Sequence, residues 1–131
     1  MLDENVSISV ELRLEKAHQC LRDAELLLST ESYAACANRT YFCIFHTIRA
    51  ALITIGFSAR THSGNIAEFR RSFIKTGIFP KNFSDIIGFA FDVRNDSDYN
   101  EFYIISKDDV ISQMNNAAVF LDTVEAYIKA L

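Results

Sequence analysis

The longest apolar segment of the chain reads YAACANRTYFCIFHTIRAALITI, from Tyr33 to Ile55. Its apolar residues fall on almost every side of a helix, and it contains neither Gly nor Pro, the residues that most often end helices. A helix of this length is roughly 35 Å long at 1.5 Å per residue. Because the helix would have few polar side chains to contact water, the segment predicts a helix at the centre of a bundle or at a subunit interface.

The flanking segments predict further helices. From Val10 to Ser29, small and apolar residues recur at alternating three- and four-residue steps, which is typical of one packed helical face. Segments 65–75, 82–98 and 107–130 predict one short and two longer helices, and residues 1–9 are expected to be a loosely ordered N-terminal segment. We therefore predict an all-α fold, an up-and-down four-helix bundle with one additional short helix, in a single domain over residues 1–131.

Composition narrows the class of protein. The chain has 131 residues, 50% of them hydrophobic, and a formal net charge of -4, which argues against a generic binder of nucleic acid. The three cysteines show no CxxC spacing, so we expect buried, reduced thiols. We find neither a secretory signal nor an apolar run long enough for a membrane span, and we predict a cytoplasmic protein.

Arg94 occupies a position where helical packing alone would favour an apolar residue. On the predicted helix 82–98, Phe83, Ile87 and Ala90 form one stripe, and Arg94 is its next member. An unpaired guanidinium is very costly to bury, so Arg94 should face a cleft or a carboxylate. The alternative is a surface ion pair with Asp98 four residues later, which would contribute only a few tenths of a kcal/mol to stability. Such an ion pair does not explain why Arg94 lies on the apolar stripe.

Two other groups place polar residues where the pattern favours apolar ones. Asn38, Arg39, His46 and Arg49 share part of the otherwise apolar helix 33–55, and the alternative is that both arginines reach solvent while the histidine is a hydrogen-bonded core residue. His62 lies in the connection 57–64. Its alternative role is in a helix-capping turn, with Ser63 or Asn65 as the cap.

These residue types suggest phosphate chemistry. The fork of an arginine matches phosphate oxygens, and a histidine normally transfers the proton when RNA is cleaved without metal. Near Arg94 the only candidate for that role is Tyr99, although a free phenol, with a pKa of about 10, is a poor base at pH 7. Asp92, Asp96 and Asp98 are closely spaced, but no histidine completes a metal-binding set, so we predict neither metal nor cofactor.

The residues named above are part of a wider resemblance between this chain and the HEPN superfamily, whose members are helical proteins of prokaryotic defence and toxin–antitoxin systems. The resemblance runs in order over most of residues 10–128. It is carried by these stretches: Leu14-Glu-Lys-Ala17, Ala35-Cys-Ala-Asn-Arg-Thr-Tyr-Phe-Cys-Ile-Phe-His46, Ala50-Ala-Leu52, Thr61-His-Ser-Gly64, Phe69, Phe73-Ile-Lys-Thr-Gly77 and Arg94-Asn-Asp-Ser-Asp-Tyr99.

The resemblance implies a two-fold homodimer whose cleft is lined by a motif arginine, the polar residue after it and a polar residue of the second helix. Here these are Arg94, Asn95 and Asn38. Where a four-residue spacing would place the catalytic histidine of the ribonuclease members, this chain has Tyr99. Arg-x4-Tyr is similar to the pattern of a large branch, many members of which resemble the small partner of a minimal nucleotidyltransferase, the two acting as toxin and antitoxin. In some such pairs that enzyme adds nucleotides to a tyrosine near the motif, which implies Tyr99 or Tyr103 here.

Three hypotheses follow. The first is a toxin-like HEPN dimer that binds RNA or a nucleotide and acts with a nucleotidyltransferase antitoxin. The second is a metal-independent endoribonuclease that uses Arg94 with Tyr99, or with a histidine from elsewhere. The third is a non-catalytic dimeric partner subunit. Arg94 and Tyr99 are the candidate catalytic residues, and the candidate binding residues are Asn38, Arg39, His46, His62, Asn95 and Asp98.

Overall fold

The computed structural model describes residues 2–131, and these residues form helices, turns and loops with no strand. The helices are α1 (Glu4–Ser29), α2 (Tyr33–Thr54), α3 (His62–Phe69), α4 (Asn82–Tyr99) and α5 (Lys107–Lys129). A π-helical turn, Arg70–Ile74, continues α3. The prediction of an all-α fold is confirmed for the described part of the chain.

Helix α2 lies in the middle of the structure. It packs against α1, α3, α4 and α5, and twelve of its residues are buried. It runs antiparallel to α1, because Cys20 contacts Arg39 near one end of the pair and Arg13 contacts His46 near the other. The apolar surface of α2 is therefore covered within one chain, which removes it as an argument for a dimer. The two-fold dimer and the up-and-down arrangement remain predictions.

The buried residues form a large cluster and a small one. The large cluster joins all five helices, and it contains a group of contacting aromatic rings that includes Phe69, Phe79 and Phe120. We call the second group the small cluster; it lies where α4 and α5 are connected. Its members are Ala24, Cys36, Ala37, Val93, Ile105, Val110 and Met114. The three cysteines are buried and free, as predicted.

The N-terminal prediction was wrong for residues 4–9. Helix α1 begins at Glu4 because Asp3 caps it, its carboxylate accepting a hydrogen bond from the Asn5 amide at 2.8 Å. Val6 and Leu2 then pack against the large cluster and hold this first turn in place. Met1 lies outside the described residues.

The short third helix begins and ends differently from the prediction. It begins at His62 rather than Asn65, because Thr61 is the N-cap and its hydroxyl accepts from the Gly64 amide at 3.0 Å. Neither Ser63 nor Asn65 has the predicted capping role. The buried Asn65 amide instead donates to the carbonyls of Ala59 and Thr61.

Downstream, the helix widens into the π-helical turn before Gly77, whose φ of 85° ends it. The other boundaries agree with prediction to within a residue or two. Helix α5 begins after its N-cap Ser106, whose hydroxyl accepts a hydrogen bond from the Asp109 amide at 3.1 Å.

Candidate phosphate-binding site on helices α2 and α4

The candidate site lies where the last turns of α4 cross the first turns of α2. The α4 stripe of Phe83, Ile87 and Ala90 is buried, and Arg94 continues it with a side chain that is only 19% exposed. Its guanidinium carbon is 5.4 Å from the centre of the Tyr41 ring and 5.5 Å from that of Phe42. Cation–π attraction to these two rings restrains the guanidinium. Arg94 is thus held at the edge of the core rather than free in solvent.

A chain of polar contacts joins Arg94 to the start of α2. Its Nε donates to Asp98 Oδ2 at 3.1 Å, which is the ion pair considered from the sequence. Asn38 Nδ2 makes a long contact of 3.5 Å to the same oxygen, while Asn38 Oδ1 accepts from Arg39 Nε and Nη2 at 3.1 and 2.8 Å. Asn38 therefore faces the carboxylate with its donor and the cation with its acceptor. The structure brings together these four predicted site residues.

The two terminal nitrogens of Arg94 are the unused donors of this arrangement. Only Nε is engaged by Asp98, and neither terminal nitrogen has a hydrogen-bond partner among residues 2–131. A guanidinium with its outer edge available can donate two parallel hydrogen bonds to a phosphate or carboxylate. The geometry of Arg94 is therefore suited to an oxyanion.

His62 contacts the same two rings. Its Nδ1 is 2.7 Å from the Tyr41 hydroxyl, and its ring stacks on Phe45 with centres 4.0 Å apart. Burial, and then the charges of Arg94 and Arg49, lower the pKa of His62. Burial also raises the pKa of Tyr41 to about 12, against the opposing effect of Arg94. At neutral pH a neutral imidazole thus faces a protonated phenol, within electrostatic range of Arg94.

His46 does not join this group. It faces α1, where its Nδ1 accepts a hydrogen bond from Arg13 Nη1 at 3.2 Å. Burial lowers the pKa of His46 to about 4, reinforced by four cations: Arg13, Lys16, Arg39 and Arg49. The hydrogen-bonded histidine of the alternative interpretation is therefore present, but its partner is an arginine on α1.

The remaining predicted residues differ in how far their side chains are exposed to solvent. Tyr99 ends α4 and is 78% exposed. Asn95 is half-buried and makes no side-chain hydrogen bond to the Arg94 group within the described part of the chain. Tyr103 packs against the small cluster, and burial, followed by the charges of Asp96 and Asp109, raises its pKa. Of the two tyrosines considered for modification, Tyr99 is the accessible one.

The rings of Tyr41 and Phe42 form an aromatic platform against Arg94 that was not predicted from the sequence. Phe42 contacts two cations, since Arg39 also lies over its ring, 5.1 Å from its centre. The spacing of residues along α2 could have indicated that Phe42 lies on the same face as the polar residues. Asn38, Phe42, His46 and Arg49 recur at steps of four, four and three residues, so they form one polar and aromatic stripe on α2. Arg13 on α1 carried no such signal, because its position near that stripe depends on how the two helices pack.

The described residues contain no group of three or more His, Cys, Asp or Glu side chains that could hold a metal ion. Across residues 2–131, no helix combines the length and apolar character that crossing a bilayer requires.

The chain is similar in sequence to a known protein family and to several known proteins. Residues 10–127 match the family model described as HEPN domain. A UPF0332 protein of Thermotoga maritima is 34% identical over 93% of this chain and 92% of its own length. A protein of Methanocaldococcus jannaschii with the name "Putative toxin MJ0142" is 28% identical over 91% of this chain and 81% of its own.

Among solved structures, a crystal structure of TT1696 from Thermus thermophilus has the same fold, with a TM-score of 0.75. It shares 16% sequence identity, and the match covers 89% of this chain and 96% of that one.

Proposed function

The chain belongs to the HEPN family, and we propose that it is a toxin-like component that binds RNA or a nucleotide through Arg94 and acts with a minimal nucleotidyltransferase partner. Two relatives from Methanocaldococcus jannaschii have names that include the word toxin, and one of them aligns with the whole of this chain. Their names support the toxin-like part of the proposal, and the geometry around Arg94 supports the ligand.

The observation that carries the proposal is the free outer edge of Arg94. Tyr41 and Phe42 lie against the guanidinium and Asp98 fixes its Nε, while its two terminal nitrogens make no hydrogen bond within residues 2–131. A preoriented fork loses little freedom when it binds a phosphate. Asn38 and Arg39 add amide and guanidinium groups within the same hydrogen-bonded chain.

Tyr99 is the proposed acceptor of a nucleotide from the partner. Its side chain is 78% exposed at the end of α4, five residues after Arg94, so a second protein can reach its hydroxyl. In the transfer, the Tyr99 oxygen bonds to the α-phosphorus of a nucleoside triphosphate and pyrophosphate leaves. The hydroxyl proton passes to a base of the partner. The modification would add a negative charge close to Arg94 and Asp98 and so alter the site that binds phosphate.

We propose that the protein is a two-fold homodimer. The loop after Tyr99 exposes two apolar side chains, Phe102 at 86% and Ile104 at 91%. A second copy that covers them would bring two Arg94 sites towards one cleft, giving a local positive surface on an acidic protein. Sedimentation at micromolar concentration tests this: a dimer that Phe102→Ser converts to a monomer is the expected result, and a monomeric wild type would refute it.

The binding proposal is tested with a labelled single-stranded RNA and with a mononucleotide, using wild type, Arg94→Gln and the control Lys129→Gln. Lys129 is an exposed cation at the end of α5 and makes an ion pair with Glu125 at 3.7 Å. Losing a bidentate, charge-assisted contact of about 1.5–3 kcal/mol should weaken binding roughly ten- to a hundredfold. The control should bind as wild type does. Equal affinities of all three proteins for the RNA and the mononucleotide would refute the proposed role of Arg94.

A second candidate function, metal-independent cleavage of RNA, is favoured by the position of His62. Both His62 and Arg94 contact Tyr41 and Phe42, so a base and a cation flank the same two rings. A neutral His62 can take a 2′-hydroxyl proton at Nε2 when its Nδ1 donates to the Tyr41 oxygen. Cleavage in EDTA that Arg94→Ala and His62→Gln both abolish would select this function.

A non-catalytic partner subunit is the third candidate. It would be selected if the protein neither binds nor cleaves RNA and yet forms a tight complex with a nucleotidyltransferase.

A further inference from the structure

A second group of cations lies away from Arg94, in an open cavity between α1 and α2. The cavity has a volume of about 580 Å³. It is lined by Ser9, Leu12, Arg13, Lys16, Arg49 and Ile53. Three of the six lining side chains are positively charged and none is acidic, in a chain whose net charge is -4.

Among the described residues, the cations of this cavity form no ion pair with a carboxylate. The four ion pairs within residues 2–131 involve His18, Arg71, Arg94 and Lys129, so Arg13, Lys16 and Arg49 belong to none of them. Within residues 2–131, Arg49 Nε is also buried without a hydrogen-bond acceptor. Buried polar groups are normally paired, so the Arg49 guanidinium is not fully satisfied by the described residues.

The protein's own groups do not relieve the repulsion between these charges. Burial, and then the charge of Arg49, lower the pKa of Arg13. Within residues 2–131, the one group that accepts from Arg13 is His46, whose ring is neutral and so contributes no negative charge. Accepting at Nδ1 leaves Nε2 as the protonated nitrogen of that ring. An anion in the cavity would offset three positive charges.

We infer that the cavity between α1 and α2 binds the phosphate group of a nucleotide or an RNA strand, separately from the Arg94 site. Phosphate fits the donors best, because two guanidiniums and an ammonium offer more hydrogen bonds than one carboxylate can accept. The volume exceeds that of a phosphate ion. Leu12, which is 54% exposed, and Ile53 supply an apolar wall for the attached sugar or base.

His46 is the natural reporter of this site, because the groups that lower its pKa include all three cations of the cavity and Arg39. The experiment follows the His46 ring resonances by NMR as inorganic phosphate, AMP and a single-stranded RNA are added in turn. Sodium chloride at matched ionic strength is the control, and His46→Gln assigns the signals. With a bound phosphate the His46 pKa should rise by about one unit, because an anion stabilises the imidazolium.

The variants separate this site from the Arg94 site. Arg49→Gln and Lys16→Gln should each weaken the response of His46 at least tenfold, whereas Lys107→Gln, a cation at the start of α5, should leave it unchanged. Lys16 is exposed, so its variant tests the site even if Arg49→Gln perturbs folding. Arg94→Gln should also leave the response to inorganic phosphate intact. A failure of the Arg94 proposal and a failure of this one are therefore distinguishable.

Each outcome is decisive. A response to phosphate alone or to AMP indicates a site for small phosphates, and a response only to RNA indicates a contact with the strand backbone. The inference is overturned if none of the three ligands shifts His46 beyond the chloride control. It is also overturned if Arg49→Gln and Lys16→Gln respond as strongly as wild type.

Discussion

His46 should make the stability of this protein depend on pH. Its pKa falls from an ordinary 6.5 to about 4 in the folded state, first through burial and then through the charges of Arg13, Lys16, Arg39 and Arg49. Because the folded pKa is the lower one, the unfolded chain binds the proton more readily. The stability associated with the neutral ring is therefore complete above pH 6.5 and is lost as the pH falls towards 4.

The size of the effect follows from the two pKa values. Between pH 7 and pH 5, a shift from 6.5 to about 4 corresponds to a loss of nearly 2 kcal/mol in the free energy of unfolding. His46 is only half-buried, and solvent screens its interactions with the exposed Lys16. After this discount we expect His46 to contribute about 1 kcal/mol to the loss.

The assay is urea unfolding followed by circular dichroism, at pH 7 and pH 5, for wild type and His46→Gln. A glutamine keeps an acceptor for Arg13 but does not titrate, so the comparison isolates His46 from the carboxylates and from His62, which titrate in both proteins. The buffers must contain no phosphate, since an anion near Arg13 and Arg49 would raise the His46 pKa and mask the effect. Wild type should lose about 1 kcal/mol more than the variant. Equal losses would refute the account of His46.

Three further predictions concern the fold and the site. Phe120→Ala removes a fully buried ring that packs against Phe69 and Phe83, and it should lower the free energy of unfolding by about 3–5 kcal/mol in a denaturant titration. Thr61→Ala removes the cap of α3 and should cost about 1 kcal/mol by the same measurement, while Thr61→Ser should cost little. Tyr99→Phe should change stability by less than about 0.5 kcal/mol, because the side chain is exposed, yet it should abolish incorporation of radiolabelled nucleotide by a nucleotidyltransferase partner.

Helix content and helix order could be predicted because they depend on local patterns. The uninterrupted apolar segment of α2 and the heptad-like spacing of α1 and α5 require only sequence periodicity. The first residues of α1 and α3 were harder to predict, because each helix start depends on a single capping hydrogen bond. The Asn5 amide donates to Asp3 at the start of α1, and the Gly64 amide donates to Thr61 at the start of α3. The π-helical turn at Arg70–Ile74 had no local signal at all.

The site was predictable in part for a similar reason. Arg94 stood out because it interrupts an apolar stripe on its own helix, and Asp98 follows at the spacing of an ion pair. The rings of Tyr41 and Phe42 looked like ordinary core residues, because their contact with Arg94 depends on how α2 crosses α4. The cavity between α1 and α2 was missed on the same grounds, since Arg13 and Arg49 are 36 positions apart in the chain.

The central claim is that this HEPN protein binds RNA at Arg94 without cutting it. The most direct measurement incubates an end-labelled single-stranded RNA with wild type and Arg94→Ala in EDTA, then determines the bound fraction and the RNA length from the same samples. The account predicts that wild type retains the RNA at full length and that Arg94→Ala retains a much smaller fraction of it. RNA that wild type shortens, or that both proteins retain equally, would contradict the account.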